Sequence, residues 1–331
     1  MEDPKVQVSD IKESLHPYIE RVERLIVDYL QSDIELLNAT NSMLRQRPGK
    51  MLRPMLGLLC AGAAGGINED SVRFAAASEL LHNATLLHDD VVDGATQRRG
   101  APTVSSILNS QSSVLIGDYW LVKCMQVVLS SSAKADRVIR IFAKTLSDLA
   151  EGEILQLQKA GDASTTEEDY LRIIYCKTAS LFEASALAAA VSAGAPEWVE
   201  KALSGYARNL GLAFQIKDDI FDYSAPETEV GKPVGIDLLE QKITQPLLCA
   251  LEKASPEEAA AIRSKVKSVM DNPSLATEIR AFVQDRDGVA LAARKQDFYI
   301  EKAISHLVTL SDSPEKLYLA ELARYVGSRN V

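Results

Sequence analysis

Leu86-Leu-His-Asp-Asp-Val-Val-Asp-Gly-Ala-Thr-Gln-Arg-Arg-Gly100 decides how this chain reads. Asp89, Asp90 and Asp93 fall within five residues, and Arg98 and Arg99 follow just beyond. The preceding Phe74–Leu87 is rich in Ala and Leu and free of Gly and Pro, which predicts a helix. On that helix Asp89 and Asp93 stand one turn apart on the same face, with Asp90 beside them. Three like charges on one turn repel and cost stability unless a cation bridges them. Carboxylate oxygens suit a hard ion such as Mg²⁺, which keeps waters and also takes phosphate oxygens from a substrate.

The pattern occurs twice. Gly211-Leu-Ala-Phe-Gln-Ile-Lys-Asp-Asp-Ile-Phe-Asp-Tyr223 again ends an apolar helix, in Asp218, Asp219 and Asp222. A single acidic helix end is usually just solvated. Two of them predict a clamp that holds one diphosphate through several Mg²⁺ ions.

The rest of the composition narrows the partners. The chain has 331 residues, 47% hydrophobic and 25% charged, ordinary values for a globular protein with a sizeable core. A net charge of −10 argues against nucleic acid. Cys60, Cys124, Cys176 and Cys249 lie far apart in apolar runs, without CxxC spacing. They read as reduced core residues of a cytoplasmic protein. The N-terminal Met-Glu-Asp-Pro-Lys is no signal peptide, and no apolar run is expected to span a membrane.

Almost every segment has helical period and almost none alternates as a strand. Helices are predicted from about 9 to 31, 33 to 45, 51 to 64, 70 to 93, 103 to 109, 112 to 131 and 134 to 159. Others follow from 166 to 194, 196 to 222, 244 to 253, 255 to 271, 273 to 283, 286 to 309 and 313 to 328. Residues 223–237 are predicted to be a loop holding Gly231-Lys-Pro-Val-Gly235. With no linker or repeat, the expectation is an all-α protein. It would be a single domain over 1–331, a bundle of roughly a dozen helices around a deep central cavity.

Basic residues stand out against this acidic background. Lys50 and Arg53 sit on the turn before a helix, and Arg98 and Arg99 follow the first acidic turn. His82 lies nearly two turns before Asp89 and so shares its face. Alone, each is more often a solvated end or a hydrogen-bonded core group. With two acidic turns they suggest a second phosphate site, gripped directly by Lys50, Arg53, His82 and Arg99. No Ser-His-Asp set, Walker loop or dinucleotide-binding glycine pattern competes. What remains is metal-assisted loss of diphosphate beside an apolar cavity that shields a carbocation from water.

Seven motifs in order resemble those of the trans-isoprenyl diphosphate synthases. They are Gly49-Lys-Met-Leu-Arg-Pro54, Asp89 to Arg99, Gly117-Asp118, Glu151-Gly-Glu153 with Gln156, Lys177-Thr178, Phe214 to Asp222, and Gly231 to Lys242. The resemblance covers most of the chain. It implies the isoprenoid synthase type of helical fold, a homodimer, and about three Mg²⁺ ions with substrate bound. Asp89, Asp93 and Asp218 would bind metal directly, with Asp90, Asp219 and Asp222 in support. Arg98, Lys177, Lys232, Gln215 and Lys242 would hold the allylic diphosphate. Lys50, Arg53, His82 and Arg99 would hold isopentenyl diphosphate, and Thr178 and Gln215 would stabilise the cation. Lys177, Thr178, Gln215 and Lys232 are thus the expected catalytic group. Two departures are visible: Gln241 replaces the family's usual glycine, and Gln245 takes a commonly apolar position.

Chain length is read from the helix above the first acidic turn. In the short-chain members it resembles, an aromatic residue at the equivalent of 84 or 85 blocks the growing tail. Here Ala84 and Thr85 are small, with Leu81 a turn above. A helix rises 1.5 Å per residue, so the run from Asp89 back to Asp70 offers roughly 28 Å. Cys124, Met125 and Val128 are the candidates for the floor. The expectation is an octaprenyl product, within a hexaprenyl to decaprenyl range, serving a respiratory quinone and passing to a membrane enzyme. A short-chain farnesyl or geranylgeranyl synthase is the alternative. A terpene cyclase would lack the second acidic turn, and a non-catalytic partner subunit would have lost both.

Overall fold

The computed structural model describes residues 7–45, 49–98, 100–132, 134–224 and 235–329. They form sixteen α-helical segments and a single two-residue strand pair. Two compact units are built from them, the first from Met1–Lys144, Leu181–Gly205 and His306–Leu322, the second from Thr145–Ser180, Tyr206–Ser305 and Ala323–Val331.

In chain order the elements begin with α1 (Val8–Leu30), α2 (Glu35–Arg45), α3 (Leu52–Ala63) and α4 (Glu69–Val92). The antiparallel pair β1 (Gln97–Arg98) and β2 (Ala101–Pro102) follows, then α5 (Val104–Ile107), α6 (Ser110–Leu129) and α7 (Ala135–Asp162). Next come α8 (Glu167–Ile174), a π-helical turn at Tyr175–Ala179, α9 (Ser180–Ser192) and α10 (Glu197–Ser224). The chain closes with α11 (Ile236–Leu239), α12 (Gln245–Glu252), α13 (Pro256–Ser268), α14 (Leu275–Asp285), α15 (Gly288–Leu307) and α16 (Pro314–Ser328).

In the first unit α4 is the central rod. It starts where Asn68 and Ser71 cap one another, which satisfies two of the backbone donors at its first turn. Phe74, Ala75, Ala76, Ala77, Leu80, Leu81 and Ala84 are all buried, so apolar residues surround the helix rather than stripe it. Its small residues allow α6 to pack closely along it, and Ser113 Oγ on α6 donates to Leu87 O at 2.9 Å. Asn41 ties the end of α1 to α6. Its amide donates to Leu30 O at 2.9 Å, satisfying a helix-end carbonyl, while its oxygen accepts from Trp120 Nε1 at 2.8 Å.

The second unit has its own core, in which Tyr170, Ile174, Ile216, Ile220, Leu247, Val266, Ile279 and Val283 are buried. Here the expected helix over 166–194 forms as one run, Glu167–Ser192, with the π turn inside it. A single extra residue in the turn shifts every later side chain around the axis, a local cost usually met at functional positions.

Composition suggested that no apolar run would reach membrane-spanning length, and that expectation is corrected. Ser110–Leu129 and Glu167–Ser192 are both long and apolar enough. Of the second, 78% of the window is buried, the pattern of a core helix built from Ala and Leu.

Candidate active site

The first acidic turn closes α4. Asp93 caps its C-terminus, exposed, and its N–H bonds to Asp89 O at 2.8 Å. Asp89 is half-buried. Asp90 points the other way: it is buried and accepts from Arg98 Nε at 2.7 Å across the β1 strand. Arg98 therefore straps the hairpin to the acidic turn. Arg99, next in the chain, lies outside the described residues. His88, which the sequence reading passed over, sits with Nε2 3.4 Å from Asp118 Oδ1 and 3.2 Å from Val114 O. A Cβ at Gly117 would lie 2.3 Å from that nitrogen, which accounts for the Gly117-Asp118 pair.

Lys50 is exposed in the same unit, and Arg53 stacks its guanidinium 5.0 Å from the centre of the Phe182 ring. His82 is half-buried on α4, and its carbonyl accepts from Thr85 Oγ1 at 2.8 Å. Leu81, Ala84, Cys124 and Val128 are fully buried on α4 and α6, while Thr85 and Met125 are half-buried.

The second unit encloses a cavity of about 170 Å³. Lys177, Gln215, Asp219, Asp237 and Lys242 supply its polar wall, and Ile173, Ile174 and Ile243 its apolar wall. Lys177 rides on the π turn, where Glu153 Oε1 at 2.7 Å and Gln156 Oε1 at 3.1 Å hold its ammonium. The Glu-Gly-Glu-x-x-Gln motif thereby acquires a physical reason. Two acceptors fix the lysine, and the glycine just before Glu153 makes room: a Cβ at Gly152 would lie 2.6 Å from Cys176 Cβ. Gly211 makes room on the other side, where a Cβ would lie 2.5 Å from Ala179 Cα.

Thr178 Oγ1 donates to Gln215 Oε1 at 2.7 Å, and Gln215 Nε2 donates to Asp219 Oδ1 at 2.9 Å. Tyr170 OH completes the array by donating to Asp219 Oδ2 at 2.6 Å. Both Asp219 oxygens are thus held by protein groups. Burial, then the Asp237 charge, pushes the Asp219 carboxyl up to about 8. Asp237, absent from the sequence-based site, is raised to about 6 by burial and then by Asp222, against the opposing pull of Lys242.

Asp222 caps α11: Oδ1 accepts from the N–H groups of Gly235 and Ile236 at 3.0 and 3.2 Å, and Oδ2 from that of Asp237 at 3.3 Å. Asp218 is paired with Arg329 near the chain's end. Lys242 forms an ion pair with Glu240. Between them Gln241 sits at φ 60°, the left-handed region where glycine is the natural choice. Its amide donates to Lys267 O at 2.6 Å. Lys232 and the segment 225–234 lie outside the described residues. Gln245 is fully buried, its Nε2 3.5 Å from Cys249 Sγ and its Oε1 unpartnered.

Among the described residues no three His, Cys, Asp or Glu side chains converge as a ready-made metal cage. A hard dication that keeps waters needs only one or two carboxylates besides substrate phosphate. Asp89 with Asp93, and Asp218, are oxygen donors of that kind.

The polyprenyl synthetase family model matches residues 34–283. The chain belongs to the polyprenyl synthetase family. It is 35% identical to the octaprenyl diphosphate synthase of Haemophilus influenzae over 98% of each chain. A solved decaprenyl diphosphate synthase from Rhodobacter capsulatus superposes with a TM-score of 0.89 at 35% identity, covering 96% of this chain and 98% of that one. A polyprenyl synthase from Caulobacter crescentus, solved with calcium and isoprenyl diphosphate, has a TM-score of 0.90 at 33% identity, covering 99% and 100%. Family membership makes the chain a prenyl-transferring enzyme.

Proposed function

We propose that residues 1–331 act as one catalytic domain, a Mg²⁺-dependent trans-prenyl diphosphate synthase. It condenses isopentenyl diphosphate with an allylic diphosphate and builds a long all-trans chain, octaprenyl in length, for a respiratory quinone tail. The observation that carries this reading is the cavity that sets Lys177, Gln215 and Asp219 against Ile173, Ile174 and Ile243. Diphosphate chemistry and an apolar tail need that pairing of walls. The Caulobacter relative solved with calcium and isoprenyl diphosphate supports the divalent ion and the substrate class.

Asp89, Asp93 and Asp218 would hold the metal, with Asp90, Asp219 and Asp222 in support through the contacts described above. Bound Mg²⁺ would supply charge neutralisation on the departing diphosphate oxygens. Lys177, held at a fixed distance by Glu153 and Gln156, adds a fixed positive charge there, with Arg98, Lys232, Gln215 and Lys242. Loss of diphosphate breaks the allylic C–O bond. The Thr178 hydroxyl and the Gln215 carbonyl offer lone pairs to the resulting cation. Isopentenyl diphosphate, held by Lys50, Arg53, His82 and Arg99, attacks with its double bond, and the new C–C bond lengthens the chain by five carbons. A proton is then lost to the released diphosphate.

The long product is supported by small or slender side chains on the α4–α6 seam, above all Ala84 and Cys124. A homodimer is supported by α6, whose Leu115, Val122 and Leu129 recur every seven residues and are each more than half exposed. Cytoplasmic residence agrees with four free, buried cysteines.

The test is incorporation of labelled isopentenyl diphosphate into extractable product with an allylic primer and Mg²⁺. EDTA should abolish incorporation, added Mg²⁺ should restore it, and Asp89→Ala should reduce it at least ~100-fold with the fold intact. Asp89→Ala turning over like the parent would end the metal assignment.

A further inference from the structure

Tyr170 belongs to none of the seven motifs. It lies on α8, about two turns before Lys177, with its ring buried and its hydroxyl donating to Asp219 Oδ2 at 2.6 Å. The other Asp219 oxygen accepts from Gln215 Nε2, and Gln215 Oε1 accepts from Thr178 Oγ1. Four side chains from α8, the π turn and α10 form one directed chain, and three of them line the same cavity as Lys177.

Direction is the point. A side-chain amide has a donor end and an acceptor end of nearly equal shape, so packing alone does not choose between them. With its NH₂ held by Asp219, Gln215 turns its carbonyl to Thr178. The Thr178 proton is spent on that carbonyl, so its hydroxyl offers lone pairs rather than a proton beside the Gln215 that lines the cavity. With Asp219 ionised, flipping the amide would set its carbonyl against the carboxylate and present N–H groups to any positive centre in the cavity. Asp219 enforces the choice only if it cannot rotate. A carboxyl held at one oxygen can swing about its terminal torsion, which is soft. Tyr170 holds the second oxygen.

We propose that Tyr170 is a positioning residue for cation stabilisation. Through Asp219 it fixes the Gln215 amide so that oxygens, from Gln215 and Thr178, meet the carbocation. This rests on the prenyl-transfer reading above. Tyr170 lines the cavity beside Gln215 and Asp219, and the role assigned to it runs through those two side chains.

The test uses two inert diphosphates of equal shape, one with an ammonium nitrogen at the cationic carbon and one neutral there. Their binding is measured by calorimetry in Mg²⁺ for the full chain, Tyr170→Phe and Asp219→Asn. Tyr170→Phe deletes one hydroxyl, and Asp219→Asn keeps the shape but can meet Gln215 with either end. The parent should prefer the ammonium compound. In both variants that preference should shrink by about tenfold, with affinity for the neutral compound held within about twofold in Tyr170→Phe. Turnover should show a fall in kcat with little change in KM for isopentenyl diphosphate. Equal loss of affinity for both compounds, or an unchanged preference in Tyr170→Phe, overturns the proposal and leaves prenyl transfer standing. A parent that elongates no allylic primer overturns prenyl transfer itself.

Discussion

Arg329 is bound to Asp218. Its Nη2 donates to Asp218 Oδ1 and, at 3.2 Å, to Phe214 O, while its guanidinium lies 3.9 Å from the centre of the Phe214 ring. The arginine is buried and the aspartate side chain is 41% exposed. Arg329, just past α16, is thereby anchored on a carboxylate assigned to the metal.

Arg329→Gln should remove the stacking and the charge-assisted bond, lowering metal-free stability by about 1–2 kcal/mol, since Asp218 can still be solvated. The same change removes a positive charge that opposes the dication. Mg²⁺ with an inert diphosphate should therefore raise the melting temperature of the variant by more than it raises that of the parent. Equal shifts would mean that Arg329 and the metal do not share Asp218.

Gly152→Ala tests the support of Lys177. The new methyl group meets Cys176 and the lysine's own backbone, so the π turn must shift. Overpacking of this kind costs about 1–3 kcal/mol. Activity should fall by more than the loss of stability explains, because Lys177 leaves the acceptors Glu153 and Gln156. Circular dichroism melting and kcat, measured together, separate the two effects.

Gln245→Leu should stabilise the protein. The glutamine is fully buried and its carbonyl oxygen has no partner, a penalty of about 1–3 kcal/mol set against the bonds its amide makes to Cys249 Sγ and to the Glu167 carboxylate. A leucine of similar volume removes it. Urea unfolding should move to a higher midpoint with an unchanged slope, and a lower midpoint would mean that the amide has a role the structure does not reveal.

Much of this was legible in the sequence because it depends on local periodicity. The acidic turns, the helix ends near 31, 63 and 92, and the basic turn before α3 follow from spacing and capping. Glu153 and Gln156 were visible as a motif, but their task was not, because Lys177 lies twenty-odd residues away and meets them only after folding. The π turn escaped for the same reason: it packs against Gly152 and Gly211, neither of which is near it in the chain. Tyr170 and Arg329 belong to none of the motifs, and no local spacing marks them. Only tertiary contact distinguishes a tyrosine that packs from one that also directs a carboxylate. Gln241 could be marked as a substituted glycine, yet only the backbone gives the reason, a left-handed φ of 60°.

The most direct measurement of the central claim is the length of the product. The protein is incubated with isopentenyl diphosphate, farnesyl diphosphate and Mg²⁺, and the extracted chains are sized by mass spectrometry for the parent and for Ala84→Phe. The parent should yield mainly octaprenyl, within a hexaprenyl to decaprenyl range, and Ala84→Phe should shorten the chains to near farnesyl or geranylgeranyl by blocking the α4–α6 seam. A parent that stops at farnesyl or geranylgeranyl, or a variant with an unchanged distribution, would contradict the long-chain reading.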